Sequence, residues 1–351
     1  MTLLEIETLK TYYHTETGDV HAVDGVSLSL SRNETLGLVG ESGSGKTTIA
    51  ESINRILPEN GEVVDGSIVY DGVNLTELSE KELQKYRWND VSLIPQSAMN
   101  AFDPVYTIEE QIVEVIRAHR PDTSKAEARE RAQELFEFVD LDPERVTDYP
   151  HQFSGGMKQR AAIAIALALD PPILLADEPT TALDVIIQDQ ILERIKDLQA
   201  EINSAMIMIT HDISVVSETC DEIAVVYGGR IVEYTDTETV INEPHHPYTM
   251  GLRNAFPSIA EGDQELISIP GSPPELVNPE EGCRFADRCP FAEEECYEKT
   301  PQPREVAEGH VVECHRADEA EELRPEANKK EAWTEERPKD AAAGQEGYSN
   351  D

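Results

Sequence analysis

Short apolar runs punctuate the chain up to about residue 240: LGLVG at 36–40, VSLIPQ at 91–96, ILLADE at 173–178, AMIMITHD at 205–212 and IAVVY at 223–227. Between them lie stretches of helical spacing, and this alternation predicts a largely parallel α/β sheet with helices on its faces. Earlier, Leu3–Tyr13 and Val20–Leu30 read as an antiparallel β element. From 107 to 170 the strands stop. There TIEEQIVEVIRAHR, SKAEARERAQELFEFVDL and GGMKQRAAIAIALAL each repeat apolar residues at helical intervals, predicting an α-helical insertion over about 97–170. After about 243 the chain turns rich in proline and glycine (EPHHPYT, IPGSPPELVNP) and then in cysteine. Beyond Arg316 it is charged and nearly free of apolar residues, which predicts a disordered acidic tail over 317–351. The expected organisation is a main domain over 1–243, an extension over 244–316 and that tail, with no internal repeat.

Charge narrows the partners. The chain of 351 residues carries 70 acidic and 29 basic side chains, a net −41, which argues against a phosphate backbone as partner and so against nucleic-acid binding. The acids are spread along the chain, as on a surface adapted to high salt, and suggest an origin in a halophilic archaeon. The start, MTLLEIETLK, lacks a basic segment followed by an apolar stretch, and no apolar run approaches the roughly 18 residues of a membrane span. The expected location is therefore cytoplasmic, where the 5 cysteines are not expected to form structural disulfides.

Two segments carry phosphate chemistry. Gly40-Glu-Ser42-Gly43-Ser44-Gly45-Lys46-Thr47-Thr48 fills the GxxxxGK[ST] pattern between an apolar strand and a helical run, the context a phosphate-binding loop needs. Its glycines let backbone N–H groups turn toward phosphate oxygens, and the helix N-terminus adds a favourable dipole. Lys46 places a charge at the β/γ-phosphates, and Thr47 offers its hydroxyl to Mg²⁺. The strand Ile173-Leu-Leu-Ala-Asp177-Glu178 ends in two carboxylates. Strand alternation separates their directions, so that Asp177 can hold Mg²⁺ while Glu178 polarises the attacking water.

Phe153-Ser154-Gly155-Gly156-Met157 resembles the LSGGQ signature of ATP-binding cassette (ABC) proteins, and the resemblance spans about residues 3–245. It implies the P-loop ATPase fold of that family, a helical subdomain, and ATP with Mg²⁺ sandwiched between the P-loop of one cassette and the signature helix of a second. Met157 stands where the family generally has glutamine. The resemblance further implies that Gln96 contacts Mg²⁺ or the water, that Ala182-Leu-Asp184 is the D-loop meeting the other subunit, and that His211 hydrogen-bonds the γ-phosphate. Tyr13 is the expected adenine-stacking aromatic, with Tyr12 its competitor.

Cys283, Cys289, Cys296 and Cys314 crowd about thirty loop-rich residues. Four soft ligands select a tetrahedral metal or an iron–sulfur cluster. Zinc favours tight CxxC pairs, absent here, whereas the wider spacing and Pro290 favour [4Fe–4S]. Cys220 reads as a buried helix residue. Residues 244–316, with Pro244-His-His246-Pro247-Tyr248-Thr249 and GCRFADRCPFAEEEC, resemble the C-terminal extension of oligopeptide/dipeptide importer ATPases of the "D" type. That implies a peripheral subunit at the cytoplasmic face of the cell membrane, working with a second cassette, two permease subunits and, indirectly, a solute-binding protein. Oligosaccharide or nickel cargo, and a soluble iron–sulfur regulatory ATPase, stay open as alternatives.

Overall fold

A computed structural model describes residues 1–98, 101–180, 183–255 and 267–333. It opens with two long strands, β1 (Thr2–Thr15) and β2 (Gly18–Ser31), paired antiparallel with Leu4 opposite Leu30. Then come β3 (Thr35–Val39), helix α1 (Lys46–Asn54), β4 (Gly61–Tyr70), β5 (Val73–Asn74), the single turn α2 (Glu80–Leu83) and β6 (Val91–Ile94). Three helices follow without a strand: α3 (Ile108–His119), α4 (Lys125–Phe138) and α5 (Gly155–Ala166). Alternation resumes with β7 (Ile173–Asp177), α6 (Val185–Ile202), β8 (Ala205–Thr210), α7 (Ile213–Thr219), β9 (Glu222–Tyr227) and β10 (Arg230–Asp236). The C-terminal part adds α8 (Thr237–Asn242), α9 (Pro247–Asn254), α10 (Glu294–Glu298), β11 (Arg304–Ala307), β12 (His310–Val312) and α11 (Ala320–Ala327).

The strands form two sheets, one ordered β2-β1-β4-β5 and the other β11-β12-β10-β9-β3-β8-β7-β6. Within the larger sheet β6, β7, β8, β3 and β9 run parallel, while β10, β12 and β11 extend it antiparallel. The continuous apolar runs have a simple cause. Along β8, Ala205, Ile207 and Ile209 face the smaller sheet while Met206 and Met208 face the helices, so neither side meets water. Every parallel strand consequently ends at the same edge, where ligands bind in open α/β sheets.

The tail departs from expectation. Residues 317–333 are folded: a 3-10 turn at Ala317–Glu319, α11, and a second turn at Lys330–Trp333. Ala317, Ala320, Leu323 and Ala327 recur at helical intervals, and they bury together with Trp333. A stripe of alanines hides a helix from a count of large apolar residues, and Trp333 supplies the anchor. The rest of the expected tail, 334–351, lies outside the described residues, as does Ala182.

Candidate functional site

At the C-terminal end of β3 the chain wraps around the Lys46 side chain. Gly43 and Gly45 take φ of 78° and 106°, conformations that suit glycine alone, and a Cβ on Gly45 would meet the Ala22 carbonyl at 2.2 Å. Gly45 stands at the N-cap of α1, so the first N–H groups of that helix face the loop with no capping side chain. Ser42 and Gly43 are exposed at the tip, while Ser44 and Thr48 are buried. Lys46 is buried, and its Nζ donates to the carbonyls of Gly40 at 2.7 Å and Glu41 at 2.8 Å and to Ser44 Oγ at 3.3 Å. Burial lowers its pKa, with Glu178, Asp177 and Glu41 pulling the other way.

Beside the loop, β7 ends in the two acids. Asp177 is buried, accepts a hydrogen bond from Thr47, and keeps Oδ1 without a hydrogen-bond partner among the described residues. Burial raises its pKa, and the neighbouring Glu178 charge adds to that. A buried, under-satisfied carboxylate oxygen next to a threonine hydroxyl fits the donor set of Mg²⁺.

Glu178 breaks from the strand with φ of 44°, the left-handed region that a side-chain-bearing residue enters at a cost of about 1–3 kcal/mol. Strand alternation alone therefore does not separate the two acids; a turned backbone does. Its N–H still donates to the Ile209 carbonyl at 2.8 Å, which ties it to the end of β8. The turn brings its carboxylate between two partners: His211 Nδ1 lies 2.8 Å from Oε1, and Gln96 Nε2 donates to Oε2 at 3.2 Å. Gln96 follows β6 and His211 follows β8, so three strand ends meet here.

The two tyrosines divide. Tyr12 stacks on His21 with centroids 3.8 Å apart and donates to Asp24, so one face of its ring is covered. Tyr13 is half-buried, and its hydroxyl lies 3.1 Å from Thr48 Oγ1 and 3.4 Å from Glu51 on α1. Burial raises its pKa. Away from the loop, Ser154 caps α5 by accepting from Met157 N–H at 3.3 Å, and Ser154 and Gly155 are exposed, with Gly156 partly so. Asp184 likewise caps α6, accepting from Ile187 N–H at 3.1 Å.

The four C-terminal cysteines, all with free thiols, line one cavity of about 10 Å³ together with Pro247, Phe285 and Phe291. Burial pushes the Cys283 thiol up to about 12 and the Cys314 thiol up to about 11, and the charges of neighbouring cysteines add to both. A cavity of this size has room for about one water molecule. Among the described residues no three His, Cys, Asp or Glu side chains converge as a site for a single metal ion. The donor chemistry of four thiols lining one cavity is that of a soft metal. Cys220, apart from the others, is buried at the C-terminal end of α7, where burial raises its pKa to about 12.

One residue of the loop carries contacts that the motif does not foretell. Glu41 occupies a position where the pattern accepts any residue, yet it pairs with Arg288 far along the chain. No local spacing announces that contact.

Residues 23–181 match the family described as ABC transporter, and residues 232–296 match the family described as Oligopeptide/dipeptide transporter, C-terminal region. The dipeptide transport ATP-binding protein DppD of Lactococcus lactis is 46% identical over 312 residues, covering 88% of this chain and 89% of that protein. The oligopeptide transport ATP-binding protein OppD of Escherichia coli is 42% identical over 315 residues, covering 89% and 92%. Among solved structures, the dimeric ATP-binding cassette MJ0796 bound to ADP and Pi aligns with a TM-score of 0.62 at 29% identity, covering 67% of this chain and 98% of that one.

Proposed function

The chain belongs to the family of ATP-binding subunits of dipeptide and oligopeptide ABC transporters, and from that premise we propose that it hydrolyses ATP to drive peptide import, as one of two cassettes seated on the cytoplasmic face of paired permease subunits. The observation that carries this reading is the meeting of Gln96, Glu178 and His211 beside Lys46, Thr47 and Asp177.

In this reading the phosphates of ATP displace the carbonyls of Gly40 and Glu41 as partners of Lys46, and the loop N–H groups from Ser42 to Thr48 surround them. Tyr13 offers its ring to adenine. Thr47 and Asp177 would hold Mg²⁺, with Gln96 beside them, and the ion would supply neutralising charge to the phosphates. Glu178 takes a proton from the attacking water as oxygen approaches the γ-phosphorus, while His211 and Gln96 fix its carboxylate and reach toward the γ-phosphate. Ser154, Gly155 and Gly156 present the N-terminus of α5 to the nucleotide of the second cassette, and Asp184 lies on that same seam. Closing the pair drives the permeases from inward- to outward-facing, with cargo delivered by a solute-binding protein.

The cysteine segment is read as the holder of a [4Fe–4S] cluster. Four thiols lining one cavity, with the wide spacing of the cysteines and Pro290, are what support it. The acidic surface is read as salt-adapted, as in a halophilic archaeon.

The test is Lys46→Ala. ATP binding and uptake are expected to disappear with the far-ultraviolet circular dichroism unchanged; normal uptake by this variant contradicts the assignment.

A further inference from the structure

Glu41 is gripped from three directions. Its carbonyl accepts from Lys46 Nζ at 2.8 Å, its N–H donates to Tyr248 Oη at 2.9 Å, and its carboxylate takes both arms of the Arg288 guanidinium, Nη1 to Oε2 at 2.6 Å and Nη2 to Oε1 at 2.8 Å. The first contact is within the phosphate loop. The other two come from the C-terminal extension.

Arg288 is itself immobilised. Its side chain is only 5% exposed, Nε donates to the Pro270 carbonyl at 2.9 Å, and Nη1 also donates to Tyr227 Oη at 3.2 Å. Tyr227, Tyr248 and Phe285 pack ring to ring, with centroids 4.6 to 5.4 Å apart. A planar fork held this way meets a carboxylate in one orientation, at little further cost in side-chain freedom. A second arginine works on the other side of the loop. Arg284 donates to the Gly228 carbonyl, and the next residue, Gly229, donates its N–H to the Ser44 carbonyl at 2.8 Å. Each arginine adjoins a cysteine in the chain, Arg284 after Cys283 and Arg288 before Cys289.

We propose that Arg288 and Tyr248 are positioning residues for nucleotide binding: through Glu41 they fix the shape of the phosphate cradle, so that the C-terminal extension braces the site where ATP is held. Neither touches the reacting atoms. They act by holding the residue whose carbonyl receives Lys46, so that the loop keeps its form when the lysine turns to phosphate. The coupling is reciprocal: ATP in the cradle stabilises the brace as much as the brace stabilises ATP binding. The inference rests on the ATPase reading of the same site.

Two mild variants test it. Arg288→Lys keeps the charge and loses the fork, and Tyr248→Phe keeps the ring and loses the acceptor. Each is expected to raise the KM for ATP about fivefold with kcat within about twofold, the mark of lost binding and not lost chemistry. Glu41→Gln, Arg288→Gln and the double variant close a cycle, in which the double is expected to be no worse than the worse single. ATP added to the wild-type protein is expected to slow amide exchange over 284–290, and Glu41→Gln to abolish that slowing. Unchanged KM in both mild variants, effects that multiply in the double, or exchange over 284–290 indifferent to ATP each overturns the brace. A wild-type protein without ATP hydrolysis overturns instead the reading beneath it.

Discussion

His211 Nδ1 lies 2.8 Å from Glu178 Oε1, across the gap between the ends of two adjacent parallel strands. The histidine is 61% exposed and the glutamate 14%, so the contact orients a sheltered carboxylate from its open side. Glu178 pays for its position with a left-handed backbone, and glutamine makes the same backbone demand. Glu178→Gln is therefore expected to fold and to bind ATP within about twofold of wild type. As the proton acceptor is gone, kcat is expected to fall by about 10² to 10⁴. Gel filtration in excess ATP is expected to show the variant paired. Phosphate release at the wild-type rate would remove Glu178 from the chemistry.

His211→Ala tests the orienting contact separately. Most of the imidazole surface is in water, so the melting temperature is expected to change little, while phosphate release falls with ATP affinity largely kept. A loss of affinity that matches the loss of turnover would place His211 in binding and not in the orientation of Glu178.

The cysteine reading yields to direct measurement. Anaerobically purified protein is expected to carry about four iron atoms per chain with visible absorbance, and Cys289→Ser to lose both. Stoichiometric zinc without iron, or no metal at all, would refute the cluster.

Trp333 tests the folded C-terminal end. Its ring is buried, its Nε1 donates to the Ala327 carbonyl at 2.8 Å, and a Cβ on Gly251 of α9 would lie 2.5 Å from it. Removing a ring packed this closely costs about 3–5 kcal/mol, so Trp333→Ala is expected to lower the melting temperature by at least about 6 °C. No shift would mean that 317–333 does not pack as described.

The parallel strands and the phosphate loop were legible because their causes are local. A strand buried on both faces must be apolar throughout, and a loop that turns N–H groups inward needs glycine at set places, as Gly43 and Gly45 show. The left-handed turn at Glu178 was not legible, since glutamate carries no mark of that conformation. Arg288 and Glu41 were not either: their 247-residue separation is bridged only by the packing of the extension on β9 and the loop. The C-terminal helix hid behind alanine, whose burial is as complete as that of leucine but leaves no trace in a search for large apolar residues.

Net charge makes the last prediction. With 70 acids against 29 bases, self-repulsion opposes the compact state, and the ion pairs that could offset it are mostly partly exposed and individually weak. The reach of that repulsion falls from about 10 Å at 0.1 M salt to about 3 Å at 1 M. A surface adapted to salt is therefore expected to raise the melting temperature by at least about 2 °C between 0.1 and 2 M KCl, the shift that about 1 kcal/mol produces in a domain of this size. Sucrose at matched osmolality controls for general exclusion from the surface. An equal rise in sucrose would assign the effect to excluded volume, and a flat or falling curve in KCl would remove the salt-adapted reading while leaving the ATPase site untouched.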